Sequence, residues 1–183
     1  MPLVNGLGWL GVHPNTVTIV GFVLQSCIGL VYAAGHFRLG GGLLLLLAPV
    51  DALDGALARA TGRQSRFGAF LDSSVDRLSD AALILGIAAY YLRQGAQLEV
   101  TLLSLALVGS LMVSYTRARA EALNFTCKVG LLTRMERVVL IAGFTLFGLP
   151  GILAWALAIL SLVTVMQRIL HVYMLSRQGE PSA

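Results

Sequence analysis

Apolar residues run along the chain in five long stretches, at 17–34, 39–60, 67–92, 98–123 and 138–167. Short polar segments rich in arginine, glycine or proline separate them. A transmembrane helix needs about 20 apolar residues, and each stretch is of that order. The last is too long for one comfortable span, roughly 45 Å as a single helix. Gly148-Leu149-Pro150-Gly151 interrupts it, and Pro and Gly end helices. The pattern therefore predicts two short helices there, and six in all. One long kinked helix is the alternative and would leave five. Pro14-Asn15-Thr16 has the form of a helix start, with proline and a capping side chain beside the first apolar residue. Gly40-Gly41-Gly42 lacks the Lys/Ser pattern of a phosphate loop and is read as a site of close helix packing.

Composition narrows the class. Of 183 residues, 57% are hydrophobic and 12% charged. Soluble domains carry about 25% charge, so a water-soluble domain and a disordered chain are both excluded. Cys27 and Cys127 build no disulfide framework and no Cys/His metal spacing; both read as small buried apolar residues. The expectation is an all-α integral membrane protein of six transmembrane helices, with residues 1–183 forming one membrane domain. Residues 1–13 form a short juxtamembrane segment without the basic start of a signal peptide. Six spans place both termini on one side together with ten of the thirteen basic residues. Lysine and arginine collect in cytoplasmic loops, so that side is expected to face the cytoplasm, with the protein in the cell membrane.

The acids are not spread evenly. All five aspartates, Asp51, Asp54, Asp72, Asp76 and Asp80, lie within 51–80. Asp51 and Asp54 share a helix face at i, i+3, and Asp72 and Asp76 do so at i, i+4. A hairpin through the basic loop between the pairs brings four carboxylates together near the cytoplasmic surface. Four such groups cannot all ionise without a neutralising partner, least of all in a membrane. Oxygen-only ligands favour Mg²⁺ or Mn²⁺, and two metals on carboxylates suit phosphoryl chemistry. Gly55 and Ala58 leave the helix surface bare, Arg59 can pair with phosphate, and Gly68 opens space before Asp72. Asp80 drifts from this stripe and reads as the internal partner of an arginine. His13, His36 and His171 read as interfacial.

Asp51-Ala-Leu-Asp54-Gly55-Ala-Leu-Ala58-Arg59, eight residues, Gly68, three residues, Asp72, three residues and Asp76 resembles the signature of the CDP-alcohol phosphotransferase family. All eight fixed positions over 26 residues are filled. The resemblance implies a six-helix membrane dimer that transfers a phosphatidyl-type group from a CDP-linked lipid to an alcohol and releases CMP. It implies that Asp51, Asp54, Asp72 and Asp76 bind two metal ions, with Asp76 also the general base. Gly55, Arg59 and Ser65 would hold the cytidine diphosphate, and Pro14, Asn15, Thr16 and Val17 match a further nucleotide-contacting stretch. An amphipathic lead helix of the family looks shortened here, which implies a truncated N-terminus.

A second basic group bears on the acceptor. Arg117 and Arg119 end the fourth span, Arg134 and Arg137 open the fifth and Arg168 lies late in the sixth, so three helix ends deliver guanidinium groups to one surface pocket. Bidentate arginines suit a phosphate dianion, and an acceptor that itself carries phosphate would account for them. Ser114-Tyr115-Thr116-Arg117-Ala118-Arg119-Ala120-Glu121, Arg134-Met135-Glu136-Arg137 and Asp72-Ser-Ser-Val-Asp76-Arg77 are similar to the branch that makes phosphatidylinositol phosphate or archaetidylinositol phosphate. That likeness implies that Arg117, Arg134 and Arg168 grip the phosphate of inositol 1-phosphate. Diacyl and archaeal lipid tails both remain open, as does another phosphorylated polyol such as glycerol 3-phosphate. Two further readings compete. A membrane prenyltransferase also uses aspartates with Mg²⁺ but keeps its motifs further apart, and a divalent-cation channel or carrier would place the acids near mid-membrane. The pattern calls for membrane lipids as partners and for no nucleic acid.

Overall fold

The structure, a computed structural model, describes residues 13–51, 62 and 65–179. Among these residues six helices follow one another: α1 Pro14–Ala33, α2 Phe37–Asp51, α3 Arg66–Arg93, α4 Gln97–Ala122, α5 Arg134–Leu146 and α6 Pro150–Gly179. There is no strand among the described residues. The helices α1 and α4, and α6 over Pro150–Arg177, are long and apolar enough to cross a membrane. α3 has a similar length, but Asp72, Asp76, Arg77 and Asp80 interrupt its first half.

Local chemistry sets the boundaries. His13 caps α1 by accepting from the Asn15 amide at 3.3 Å, with Pro14 in the first turn. Ser65 caps α3, its Oγ accepting from the Gly68 amide at 2.9 Å. Thr133 and Glu136 form a reciprocal capping box at the start of α5, in which the Thr133 amide donates to Glu136 Oε2 at 3.0 Å. The expected break in the last apolar run lies between α5 and α6. There Gly148 takes φ +74°, its amide donates to the Thr145 carbonyl at 3.0 Å, and the Leu149 amide donates to Phe144 at 2.8 Å. This pair of bonds needs a left-handed residue that glycine supplies without steric cost. Pro150 then opens α6, where its missing N–H costs nothing.

α1 packs mainly on α3, α4 on α6, and α2 on α5. Glycines permit the closest approaches. A Cβ on Gly29 of α1 would lie 2.5 Å from the Ala82 carbonyl oxygen of α3, and Gly86 rests on the Gly29 backbone. Gly41 sits against the last turn of α5, where a Cβ would be 2.6 Å from the Leu146 nitrogen. The expected role of the triple glycine in close packing is thus observed. Tyr32, Leu44, Leu83, Ile87, Leu103, Ile141, Leu153 and Leu157 fill the common core. Large apolar side chains such as Leu30, Leu46 and Phe147 lie on the outside with more than two thirds of their surface uncovered. A bundle that is apolar both inside and outside suits lipid rather than water.

The segment 123–133 between α4 and α5 is fastened to one face of α6. Thr164 Oγ1 accepts from the Leu132 amide at 2.9 Å, and Gln167 Oε1 accepts from the Leu131 amide at 3.2 Å. Arg168 Nε donates to the Val129 carbonyl at 2.9 Å, and His171 Nε2 lies 3.2 Å from the Thr126 carbonyl. The spacing i, i+3, i+4, i+7 keeps all four on one stripe of the helix. This strap fixes where α5 begins, and so where Arg134 and Arg137 stand.

Candidate active site

α3 carries Asp72, Asp76 and Asp80 one turn apart, so they share a face of the helix. The first turn of α5 lies opposite. Arg134 Nη2 meets Asp76 Oδ1 at 3.0 Å, with both side chains partly exposed. One turn deeper, Arg137 donates to Asp80 Oδ2 from Nε at 3.0 Å and from Nη2 at 2.6 Å, and both residues are 2% exposed. Asp80 is therefore the internal arginine partner expected of it. Arg117 on α4 pairs with Glu121 one turn on, Nε to Oε1 at 2.8 Å, with both half exposed. Arg168 on α6 is 3% exposed. Its Nε donates to Val129 and its Nη1 to the Val113 carbonyl, so it ties α4, the strap and α6 together.

These groups enclose a cavity of about 260 Å³. Ser73, Asp76, Arg77 and Asp80 line it from α3, Val113, Ser114 and Arg117 from α4, Thr133, Arg134 and Arg137 from the start of α5, and Arg168 from α6. Five arginines face two aspartates, which gives the cavity a cationic surplus suited to an anion. Planar guanidinium groups favour phosphate or carboxylate. Asp76 adds a carboxylate within hydrogen-bonding reach of the same space.

The structure thus brings Asp76, Arg117, Arg134 and Arg168 to one cavity. Asn15 and Ser65 meet elsewhere: a Cβ on Gly68 would stand 3.0 Å from Ser65 Oγ and 3.2 Å from Asn15 Oδ1. The bare glycine lets Ser65 and Asn15 come close together between the starts of α1 and α3. Pro14, Thr16 and Val17 occupy the same first turn of α1. Asp51 is the last residue of α2, whereas Asp54, Gly55 and Arg59 lie outside the described residues. Ser73, Arg77, Asp80, Ser114 and Thr133 line the cavity without having been singled out for it from the sequence, and Arg137, grouped there with the acceptor arginines, lines it too. Spacing could have found one of them, since Asp80 is four residues past Asp76. Among the described residues no group of three or more His, Cys, Asp or Glu stands together. The remaining donors, Asp72 and Asp76 on α3, are oxygen ligands of the kind that a hard divalent ion takes.

A helical bundle dressed for lipid, with a cationic cavity and a carboxylate at its edge, defines a membrane enzyme that handles anionic substrates. The comparisons with known proteins are specific. A model of the CDP-alcohol phosphatidyltransferase family matches residues 11–167. The archaetidylinositol phosphate synthase of Pyrococcus horikoshii is 44% identical over 164 residues, covering 89% of this chain and 85% of its own. A crystal structure of the Mycobacterium tuberculosis phosphatidylinositol phosphate synthase with CDP-DAG bound superposes with a TM-score of 0.88 at 30% identity, covering 94% of this chain and 92% of that one. The same synthase with manganese and citrate gives 0.87 at 30% identity, covering 94% and 88%. The chain belongs to the CDP-alcohol phosphatidyltransferase family and is an enzyme of that class, a multi-pass, all-helical membrane protein.

Proposed function

We propose that the chain transfers a phosphatidyl-type group from a CDP-linked lipid to inositol 1-phosphate and releases CMP. One observation carries this reading: five arginines on four helices line the cavity that also contains Asp76. A plain alcohol acceptor has no use for that charge, whereas an acceptor with its own phosphate does. The names of the relatives point to inositol phosphates as well.

Arg117, Arg134 and Arg168 bind the acceptor phosphate, which places its free hydroxyl beside Asp76. Asp76 takes the proton from that hydroxyl as its oxygen bonds to the lipid-bearing phosphorus and the bond to CMP breaks. Pro14, Asn15, Thr16, Val17, Ser65 and Gly68 form the described part of the CDP site, which Gly55 and Arg59 complete. Asp51, Asp54, Asp72 and Asp76 would hold two Mg²⁺ or Mn²⁺ ions, which neutralise diphosphate charge when bound. Residues 1–183 act as one domain of six spans, with both termini and the site on the cytoplasmic side of the cell membrane, and the chain works as a homodimer. An acceptor panel tests the reading. Purified protein with CDP-diacylglycerol should release CMP with inositol 1-phosphate far faster than with free inositol or glycerol 3-phosphate. Preference for either of the others would refute the assigned acceptor.

A further inference from the structure

We propose that Arg137 is a fourth acceptor-binding arginine and that Asp80 is its positioning residue. The inference rests on the reading that the cavity takes a phosphorylated alcohol. Arg137 is among the largest fully buried side chains of the described residues. Both of its bonds to Asp80 fall on one oxygen and use only Nε and Nη2. Its Nη1 is buried and without a hydrogen-bond partner among the described residues. Buried donors are almost always satisfied, so an orphan asks for an explanation, and a guanidinium asks for it more strongly than a neutral group.

The cavity supplies the explanation. Arg137 forms part of its wall together with Arg117, Arg134 and Arg168. Nη1 itself is covered in this structure, so a phosphate oxygen in the cavity would reach it by a small shift of the wall and complete its set of bonds. Asp80 has the complementary task. It holds Nε and Nη2 from behind, keeps the planar group in one orientation, and neutralises it while no acceptor is bound. An arginine needed only for packing could be replaced, together with its partner, by neutral side chains at little cost. The pair stands on α3 and α5, the two helices that carry Asp76 and Arg134, so it also sets the spacing across the cavity.

The test uses the full chain in detergent with CDP-diacylglycerol and inositol 1-phosphate. Arg137→Met combined with Asp80→Asn removes both charges and leaves side chains of similar size. The KM for inositol 1-phosphate should rise roughly ten- to a hundredfold, the effect of losing one charge-assisted hydrogen bond. The KM for CDP-diacylglycerol, whose contacts lie elsewhere, should stay within about threefold. Arg137→Lys keeps the ion pair and the fold but brings no second amino group to the cavity, so it should show the same split. An acceptor KM within about twofold of wild type in either folded variant overturns the proposal. Failure of both variants to fold assigns the pair to the fold alone and overturns it too. A wild-type enzyme that does not use inositol 1-phosphate fails the acceptor reading first, and this inference with it. A wild type that uses it beside indifferent Arg137 variants fails this inference only.

Discussion

Arg134 reaches from the first turn of α5 to within 3.0 Å of Asp76, and that pair joins the two halves of the proposed reaction. Asp76→Asn keeps the shape of the side chain but cannot take a proton. Turnover should fall at least about a hundredfold, the usual scale of a lost general base, while CDP-lipid binding largely persists because three other aspartates remain. Turnover within tenfold of wild type would remove Asp76 from that role. Arg134→Ala acts on the acceptor instead. It should raise the KM for inositol 1-phosphate by roughly ten- to a hundredfold and leave that for CDP-diacylglycerol within about threefold. Steady-state kinetics with each substrate varied in turn separates the two effects.

The helices depend on where glycine is present and where it is not needed. Gly29 lies so close to Ala82 that any side chain must push α1 from α3. Gly29→Leu should cost about 1–3 kcal/mol by overpacking, lowering Tm in detergent by roughly 2–12 °C. At Gly143 of α5 a Cβ would meet nothing within 4 Å, so Gly143→Ala should leave Tm unchanged or raise it, by up to about 1 kcal/mol of helix propensity. Equal effects at the two sites would contradict the packing described here.

At this scale much was legible in the sequence. Apolar runs give the helices, and Gly148 and Pro150 give the break, because these signals are local. The strap was not legible. It depends on Thr164, Gln167, Arg168 and His171 reaching backbone groups more than 30 positions away, and no local pattern encodes that partnership. The pairing of Arg137 with Asp80 was not legible for the same reason, since the two are 57 positions apart. Arg168 was read as a phosphate ligand alone. The structure adds a second duty, because two of its donors are already committed to backbone carbonyls. The first half of the aspartate signature, from Ala52 to Arg59, lies outside the described residues, so its geometry rests on spacing.

For the whole molecule, the clustered aspartates make activity conditional on divalent metal. Chelation with EDTA should stop CMP release, and added Mg²⁺ or Mn²⁺ should restore it; full activity in excess chelator after dialysis would contradict two-metal chemistry. The central claim is that the arginine-lined cavity accepts a molecule which keeps its own phosphate. The most direct measurement follows that phosphate. Inositol 1-phosphate labelled with ³²P is incubated with the enzyme and CDP-diacylglycerol, the lipid phase is extracted, and label there is compared with CMP released. The account predicts that label enters the lipid in a one-to-one ratio with CMP. CMP release with the label left in the aqueous phase, or turnover that proceeds equally well with unphosphorylated inositol, would contradict it.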